Sequence, residues 1–236
     1  MNLILSKASI GFPGDRTLLT TEDWSWKAGG VHVVFGANGS GKSTMLRSIL
    51  GLMALQNGEI HLEADSQVIS RFQREEWMKS ISFVASKPPA GVGLTAREVL
   101  SLSGPVHVAL ERNPRLQHWL DTRLSNLSDG QAQQVMVGRA MIQSRHWVVM
   151  DEPFAFLDVR AQKDLWQMVE THVACGGSVL MATHDVAGVC KWKERVDSSV
   201  IEKSSLSVLL NGALESLTMT SSTDEIESYV LQHHEH

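Results

Sequence analysis

A glycine-rich segment followed by lysine and serine is the clearest chemical feature of the sequence. Residues 36–43 read Gly-Ala-Asn-Gly-Ser-Gly-Lys-Ser, which matches the phosphate-binding pattern G-x-x-x-x-G-K-[ST]. Glycines let main-chain N–H groups turn inward around phosphate oxygens, and a following helix presents its positive end to them. Lys42 supplies a cation, Ser43 a hydroxyl for Mg²⁺, and Thr44 a further donor. The residues predicted to bind the phosphates are Gly36, Ala37, Asn38, Gly39, Ser40, Gly41, Lys42, Ser43 and Thr44.

Acidic and imidazole side chains follow two other apolar runs. Asp151 and Glu152 come directly after the run 147–150, and His184 follows the run 178–182. Next to a phosphate loop, Asp151 is predicted to hold the Mg²⁺ shell, and Glu152 to orient or deprotonate an attacking water. His184 would hydrogen-bond the terminal phosphate and that water. Taken alone, an acidic pair at a strand end is usually solvated and a single histidine is usually structural, so these roles depend on the loop.

The elements that must position these groups are short apolar runs alternating with helical patterns. Val31 to Phe35 is a strand-like run that leads into the loop, and Ser43 to Leu52 has helical composition. Because the carboxyl ends of parallel strands meet at one edge of a sheet, Lys42, Glu152 and His184 should lie together and act as catalytic residues. Further buried strands are predicted over residues 81–85, 147–150 and 178–182, with helices over 128–140 and 161–174. The sequence therefore predicts an α/β fold with a mainly parallel sheet.

The composition of the chain argues against several classes of protein. The 236 residues are 43% hydrophobic, which is enough for a substantial core, and the net charge of −5 argues against a nucleic-acid partner. Two cysteines in such a chain favour a reducing compartment over a disulfide framework. The longest apolar runs are too short to cross a bilayer, so we expect a cytoplasmic chain without a membrane span of its own.

A further segment places the sequence in a family. Leu127-Ser128-Asp129-Gly130-Gln131, between the phosphate loop and the acidic pair, resembles the signature of the ABC ATPase family, usually written LSGGQ. The resemblance covers about residues 3 to 201. It implies that ATP and Mg²⁺ are bound, and that the signature of one subunit contacts the γ-phosphate held by the loop of the other. The signature residues are Leu127, Ser128, Asp129, Gly130 and Gln131.

The resemblance also implies an organisation and partners. The fold would be a P-loop NTPase of the ABC ATPase type, with an N-terminal antiparallel β subdomain. Residues 1–86 and 127–201 would form the catalytic core, 87–126 a short helical subdomain, and 202–236 a C-terminal extension. The chain would work as a homodimer or pseudo-dimer, bound to transmembrane permease subunits at the inner face of the cell membrane. Asp158, in the segment Ala155-Phe156-Leu157-Asp158, would link the two sites as the D-loop.

An aromatic residue upstream of the phosphate loop has two possible roles. Phe12 could stack on adenine, as an aromatic residue does in the family, or it could belong to the core. Both roles stay open at this point, because single aromatic residues are common in sequences.

The sequence departs from the family pattern at several positions. Ser86 stands where the family usually has a glutamine that touches Mg²⁺ and water, and its shorter side chain could still meet a metal-bound water. The 40 residues from 87 to 126 are few for the helical subdomain. Asp129 replaces a glycine, and Gln134 stands where arginine is common. The Leu-Ser-Asp-Gly signature, the hydroxyl residue Ser86 and the Phe-Leu-Asp segment of the D-loop together resemble importers of iron-siderophores, haem and cobalamin. This resemblance predicts an ATPase that drives import of such a chelate.

Two other functions are compatible with parts of the sequence. Ser86 and the short helical region could belong to a nucleotide-gated regulatory module with little turnover, although Glu152 and His184 argue for hydrolysis. A family member that acts on DNA or ribosomes would carry a long coiled coil or tandem ATPase domains, and neither is present in this sequence. The tail His233-His234-Glu235-His236 is predicted to be mobile and to bind no metal.

Overall fold

The computed structural model describes residues 1–12, 17–65, 67–144, 146–155 and 157–231. Phe156 of the predicted D-loop and the tail His233–His236 lie outside these ranges. None of the helices within them combines the length and apolar character that a membrane crossing requires.

An antiparallel sheet forms the N-terminal layer. Within the described residues, its long first strand pairs with three neighbours, so that the strand order is β2-β1-β5-β6 and β3 also pairs with β1. All of these pairings are antiparallel, as the prediction of an N-terminal antiparallel β subdomain requires. The strands are β1 (Asn2–Gly11), β2 (Thr17–Thr20), β3 (Asp23–Trp26), β5 (Asn57–Ala64) and β6 (Gln67–Ser70).

A second, mainly parallel sheet forms the centre of the molecule. Its strand order is β11-β10-β4-β9-β8-β7, and only the β10–β11 pair is antiparallel among the described residues. This arrangement confirms the predicted α/β class. The strands are β4 (Val31–Phe35), β7 (Ile81–Val84), β8 (Trp147–Asp151), β9 (Ser178–Ala182), β10 (Ser205–Leu210) and β11 (Ala213–Leu217).

Alternation along the buried strands divides the core into two layers. In β8, Val148 and Met150 face one hydrophobic cluster, whereas Trp147 and Val149 face the other. Successive side chains of a strand point to opposite faces, so a sheet covered on both sides needs continuous apolar runs. This requirement explains why β4, β8 and β9 are buried along their whole length.

Helices cover both faces of the central sheet and form the helical subdomain. In that subdomain α3, α4 and two 3₁₀ helices, Pro114–Trp119 and Leu124–Asn126, pack with α5 around a separate apolar cluster. The helices are α1 (Lys42–Ile49), α2 (Arg74–Ser80), α3 (Ala96–Ser101), α4 (His107–Arg112), α5 (Asp129–Gln143), α6 (Val159–Ala174), α7 (Val186–Lys193), α8 (Ser198–Ile201) and α9 (Thr223–Leu231).

Part of the C-terminal region, which is predicted from the sequence to be an extension, belongs to the central sheet. Strand β10 pairs in parallel with β4, with Leu206 opposite Val33 and Val208 opposite Phe35. The central sheet therefore continues past residue 201, because the apolar run 205–210 is buried beside the strand that leads into the phosphate loop. The division of the chain at residues 87, 127 and 202 otherwise stays a prediction.

Candidate nucleotide site

The glycine-rich segment forms a tight loop between β4 and α1. Gly36, Gly39 and Gly41 have φ values of 156°, 84° and 103°, a region that favours glycine. A Cβ on Gly36 would lie 2.8 Å from Ser40 Oγ and 3.0 Å from the carbonyl oxygen of Leu209, so the loop could not close around a larger residue. The loop ends where Met45 N–H donates to the Gly41 carbonyl oxygen at 2.8 Å and starts the helix. This is the conformation that phosphate binding by main-chain N–H groups needs.

Lys42 lies inside this loop. Its Nζ donates to the carbonyl oxygens of Gly36 and Ala37 at 2.7 and 2.9 Å, and lies 3.8 Å from Glu152 Oε1. Burial lowers the pKa of Lys42, while the negative charges of Glu152 and Asp151 oppose that shift. The ammonium group is thus held between the loop and the carboxylates, where it can bind a phosphate.

The acidic pair lies at the carboxyl end of β8. Asp151 is 8% exposed. Neither its Oδ1 nor the Oε1 of Glu152 has a hydrogen-bond partner among the described residues. Buried carboxylate oxygens without donors are the ligands that a hydrated Mg²⁺ prefers, so the residues present fit this ion. Glu152 has a positive φ of 45°, and its N–H donates to the Ala182 carbonyl oxygen at 2.8 Å. This unusual backbone conformation directs the carboxylate toward the end of the neighbouring strand.

His184 follows that neighbouring strand, β9. Its Nδ1 and main-chain N lie 2.8 and 3.2 Å from Glu152 Oε2. Strand pairing explains the contact, because Asp151 is the register partner of Ala182, two residues before His184. The structure therefore brings Lys42, Glu152 and His184 to one edge, as predicted, while their catalytic roles stay predictions.

The signature segment forms the start of α5. Ser128 is exposed, and its Oγ accepts a hydrogen bond from Gln131 N–H at 3.3 Å. Gln131 Oε1 accepts from Ser128 N–H at 3.0 Å, which completes a capping box. Asp158 caps α6 through its Oδ1, 2.7 Å from Ala161 N. The signature residues 128–131 and Asp158 line a common cavity of about 550 Å³.

Ser86, a predicted metal-contacting residue, lines a cavity other than the one formed by the signature residues and Asp158. This cavity of about 290 Å³ is also lined by Asp129, Gln133 and Ala155. Gln133 is buried, and its Nε2 donates to the Ala85 carbonyl oxygen at 2.9 Å. Ser86 thus lies beside the signature helix, and no hydrogen bond recorded among the described residues joins it to Asp151.

Phe12 is exposed to 48%, which excludes the alternative that it is a core residue. Its carbonyl oxygen accepts a hydrogen bond from Gln56 Nε2 at 3.0 Å. Its proposed stacking on adenine remains a prediction.

One neighbour of the site was not predicted from the sequence. Helix α9 brings Glu227 into the walls of two cavities that also contain His184. The signal that could have revealed this helix is the pair Ile226 and Val230, four residues apart in a segment that is otherwise polar.

Fold and site together define a P-loop NTPase. Residues 19–155, more than half of the chain, match the family described as ABC transporter. The zinc import ATP-binding protein ZnuC of Yersinia enterocolitica is 31% identical over 188 residues, covering 77% of this chain and 69% of that protein. The chain therefore belongs to the ABC transporter family as an ATP-binding subunit. It is an ATPase that binds ATP with Mg²⁺.

Other relatives and a solved structure agree with this assignment. The cytochrome c biogenesis ATP-binding export protein CcmA of Salmonella typhi is 31% identical over 174 residues, covering 72% of this chain and 83% of that protein. The phosphonates import ATP-binding protein PhnC of Trichormus variabilis is 29% identical over 198 residues, covering 77% and 81%. A structure of an ATP-binding subunit of an ABC transporter superposes with a TM-score of 0.78 at 23% identity, covering 98% of this chain and 99% of that one. The relatives include import and export systems.

Proposed function

We propose that this chain works as one half of an ATPase dimer whose closure and reopening drive a membrane permease. The observation that carries the proposal is that the site is divided within one chain. Lys42, Glu152 and His184 lie together, whereas Ser128 opens into a different cavity with Asp158. A second subunit, turned head to tail, can bring its own Ser128 to the first subunit's phosphate loop and so complete the site.

The residues of the site divide the chemistry between them. Main-chain N–H groups of the loop and Lys42 bind the phosphates, and Mg²⁺ neutralises part of their charge when it is bound. Glu152 is held through Oε2 by His184, which leaves Oε1 free to accept a hydrogen bond from the attacking water. The start of α5 in the partner subunit offers N–H groups and the positive end of a helix to the terminal phosphate.

A groove on another face is suited to the permease. It has a volume of about 520 Å³ and lies between α2 and α5. Its walls include Leu52, Phe72 and Met78, which are exposed large apolar residues, and Arg74 and Arg139. Exposed apolar side chains beside two guanidinium groups favour a partner segment with apolar and acidic residues. We assign this groove to the permease because it adjoins the helix that begins at the signature.

The transported compound is a separate question. The signature with Asp129, and Ser86 in place of glutamine, support the prediction of iron-siderophore, haem or cobalamin import. The relatives described above are named for zinc import, phosphonate import and cytochrome c biogenesis export, so they do not favour that cargo.

A regulatory module with little turnover is the second candidate. Ser86 is the observation that favours it, since its side chain lies in the cavity beside the signature helix. The contact between Glu152 and His184 supports hydrolysis instead, because both groups that would act on water are in place.

The variant Glu152→Gln tests the proposal. It should bind ATP, lose turnover by about 10²-fold or more, and form a dimer only when ATP is added, as measured by sedimentation. The matched control is Glu202→Gln, an exposed carboxylate remote from the loop. Unchanged turnover in Glu152→Gln, or a particle size independent of ATP, would contradict the proposal. A wild-type chain that dimerises with ATP but has negligible turnover would support the regulatory module.

A further inference from the structure

The last described helix, α9, is fixed beside the nucleotide site. Ile226 is fully buried in the core cluster beneath the central sheet, and Val230 packs against the same cluster. The Tyr229 hydroxyl donates to Glu215 Oε2 at 2.8 Å, which ties the helix to β11. These anchors determine which side of α9 faces the phosphate loop.

Glu227 lies on that side of the helix. It lines a cavity of about 380 Å³ with Glu152 and His184, and a neighbouring cavity of about 390 Å³ with Ala37 and Asn38. His184 belongs to the walls of both cavities, so Glu227 lies close to the end of the site at which the terminal phosphate is expected. Within the described residues, Glu227 forms no ion pair.

An unpaired carboxylate is unfavourable beside a polyphosphate. Glu152 and Asp151 have Lys42 as a cation nearby, whereas Glu227 adds negative charge at the mouth of the site. Like charges repel each other, and ATP carries about one more negative charge than ADP, on the additional phosphate that would lie next to His184. The repulsion should therefore act on ATP more strongly than on ADP.

We propose that Glu227 is a selectivity residue that weakens the binding of ATP, relative to ADP, to a single subunit. The inference rests on the proposed function, because it takes the terminal phosphate to lie next to His184. Its consequence is that one subunit alone releases ATP readily. Stable binding then depends on the second subunit, whose helix start adds favourable contacts to the same phosphate.

The test compares nucleotide affinities of the full chain at concentrations too low for dimers. Kd is measured for Mg²⁺ with the non-hydrolysable imido analogue of ATP and for Mg²⁺ with ADP, in the wild type, Glu227→Gln and Glu227→Lys. Asp224→Asn is the matched control, because Asp224 lies on the same helix and outside the described walls of both cavities.

The expected result is a graded change. Glu227→Gln should bind the ATP analogue about three- to tenfold more tightly with a smaller change for ADP, and Glu227→Lys should extend the trend. The difference in affinity between the wild type and the Glu227 variants should shrink in about 1 M salt, because Glu227 is exposed and its charge is screened. Equal changes for both nucleotides, or no change, would overturn the inference. If the wild type bound neither nucleotide, the proposed function itself would fail instead.

Discussion

Glu152 Oε2 accepts hydrogen bonds from two nitrogens of His184, Nδ1 at 2.8 Å and the main-chain N at 3.2 Å. The contact orients the carboxylate and leaves the other oxygen, Oε1, facing Lys42 at 3.8 Å. The two oxygens of Glu152 therefore have different surroundings. One is fixed by the loop after β9, and the other is available to the phosphate side of the site.

Removing the imidazole should impair turnover more than binding. In His184→Ala, we expect the rate of ATP hydrolysis to fall by about 10²-fold with a small change in KM, because Glu152 loses its orienting contact while the phosphate loop is intact. Steady-state kinetics measure both parameters. His107→Ala, which removes an exposed histidine from α4, is the control. A His184→Ala enzyme with wild-type turnover would remove this residue from the mechanism.

The amine of Lys42 should matter for both affinity and stability. Lys42→Met removes the cation between the loop carbonyl oxygens and Glu152, and we expect ATP binding to weaken by about tenfold or more. The free energy of unfolding should rise, because burial lowers the pKa of Lys42 and folding therefore disfavours its charged form at neutral pH. Titration calorimetry and urea unfolding measure the two effects. Lys163→Met on the exposed side of α6 should change neither, and equal behaviour of the two variants would contradict the account.

Two buried histidines predict a loss of stability in mild acid. Burial lowers the pKa of His32 and of His172 from 6.5 to about 4, and the positive charge of Arg112 adds to the effect at His172. Between pH 6.5 and about 4 the unfolded chain therefore binds more protons than the folded chain. The free energy of unfolding is therefore unaffected by these two groups above pH 6.5, where both rings are neutral. It falls as the pH drops toward 4, by on the order of 3 kcal/mol for each histidine.

The variant His172→Leu separates this contribution from that of other groups. Neither ring nitrogen of His172 has a hydrogen-bond partner among the described residues, so the substitution removes the titration without breaking a bond. Urea unfolding at pH 7 and pH 4.5 should show a smaller loss of free energy than in the wild type. His107→Leu, at an exposed position, controls for the loss of a histidine. The same pH dependence in His172→Leu and the wild type would show that this histidine does not contribute.

Much of the site was predictable because its groups follow local patterns. The strand Val31–Phe35 and the loop after it lie where periodicity and glycine spacing put them, and the parallel register brings Glu152 to His184. The pairing of β10 with β4 joins residues more than 170 positions apart, as in the Ser207 Oγ contact to the Val33 carbonyl oxygen. Such a pairing depends on the whole chain, so local sequence patterns do not reveal that the apolar run 205–210 extends the central sheet. The position of Glu227 in the cavities beside the site cannot be predicted from local patterns for the same reason.

The sharing of active sites between two subunits is the central claim, and mixing two defective variants tests it most directly. One variant carries Lys42→Ala, which disables its own phosphate loop, and the other carries Ser128→Arg, which blocks the start of α5. Both also carry Glu152→Gln, so that bound ATP is retained. In a mixed dimer, the intact loop of the second variant meets the intact signature of the first.

The measurement is the amount of ATP that stays with protein during rapid gel filtration. Each variant alone should retain almost no ATP in a dimer, and the mixture should retain ATP in a dimer that contains both chains. Retention by the mixture no greater than the average of the separate variants would contradict the shared site. Full retention by the Ser128→Arg variant alone would contradict it as well.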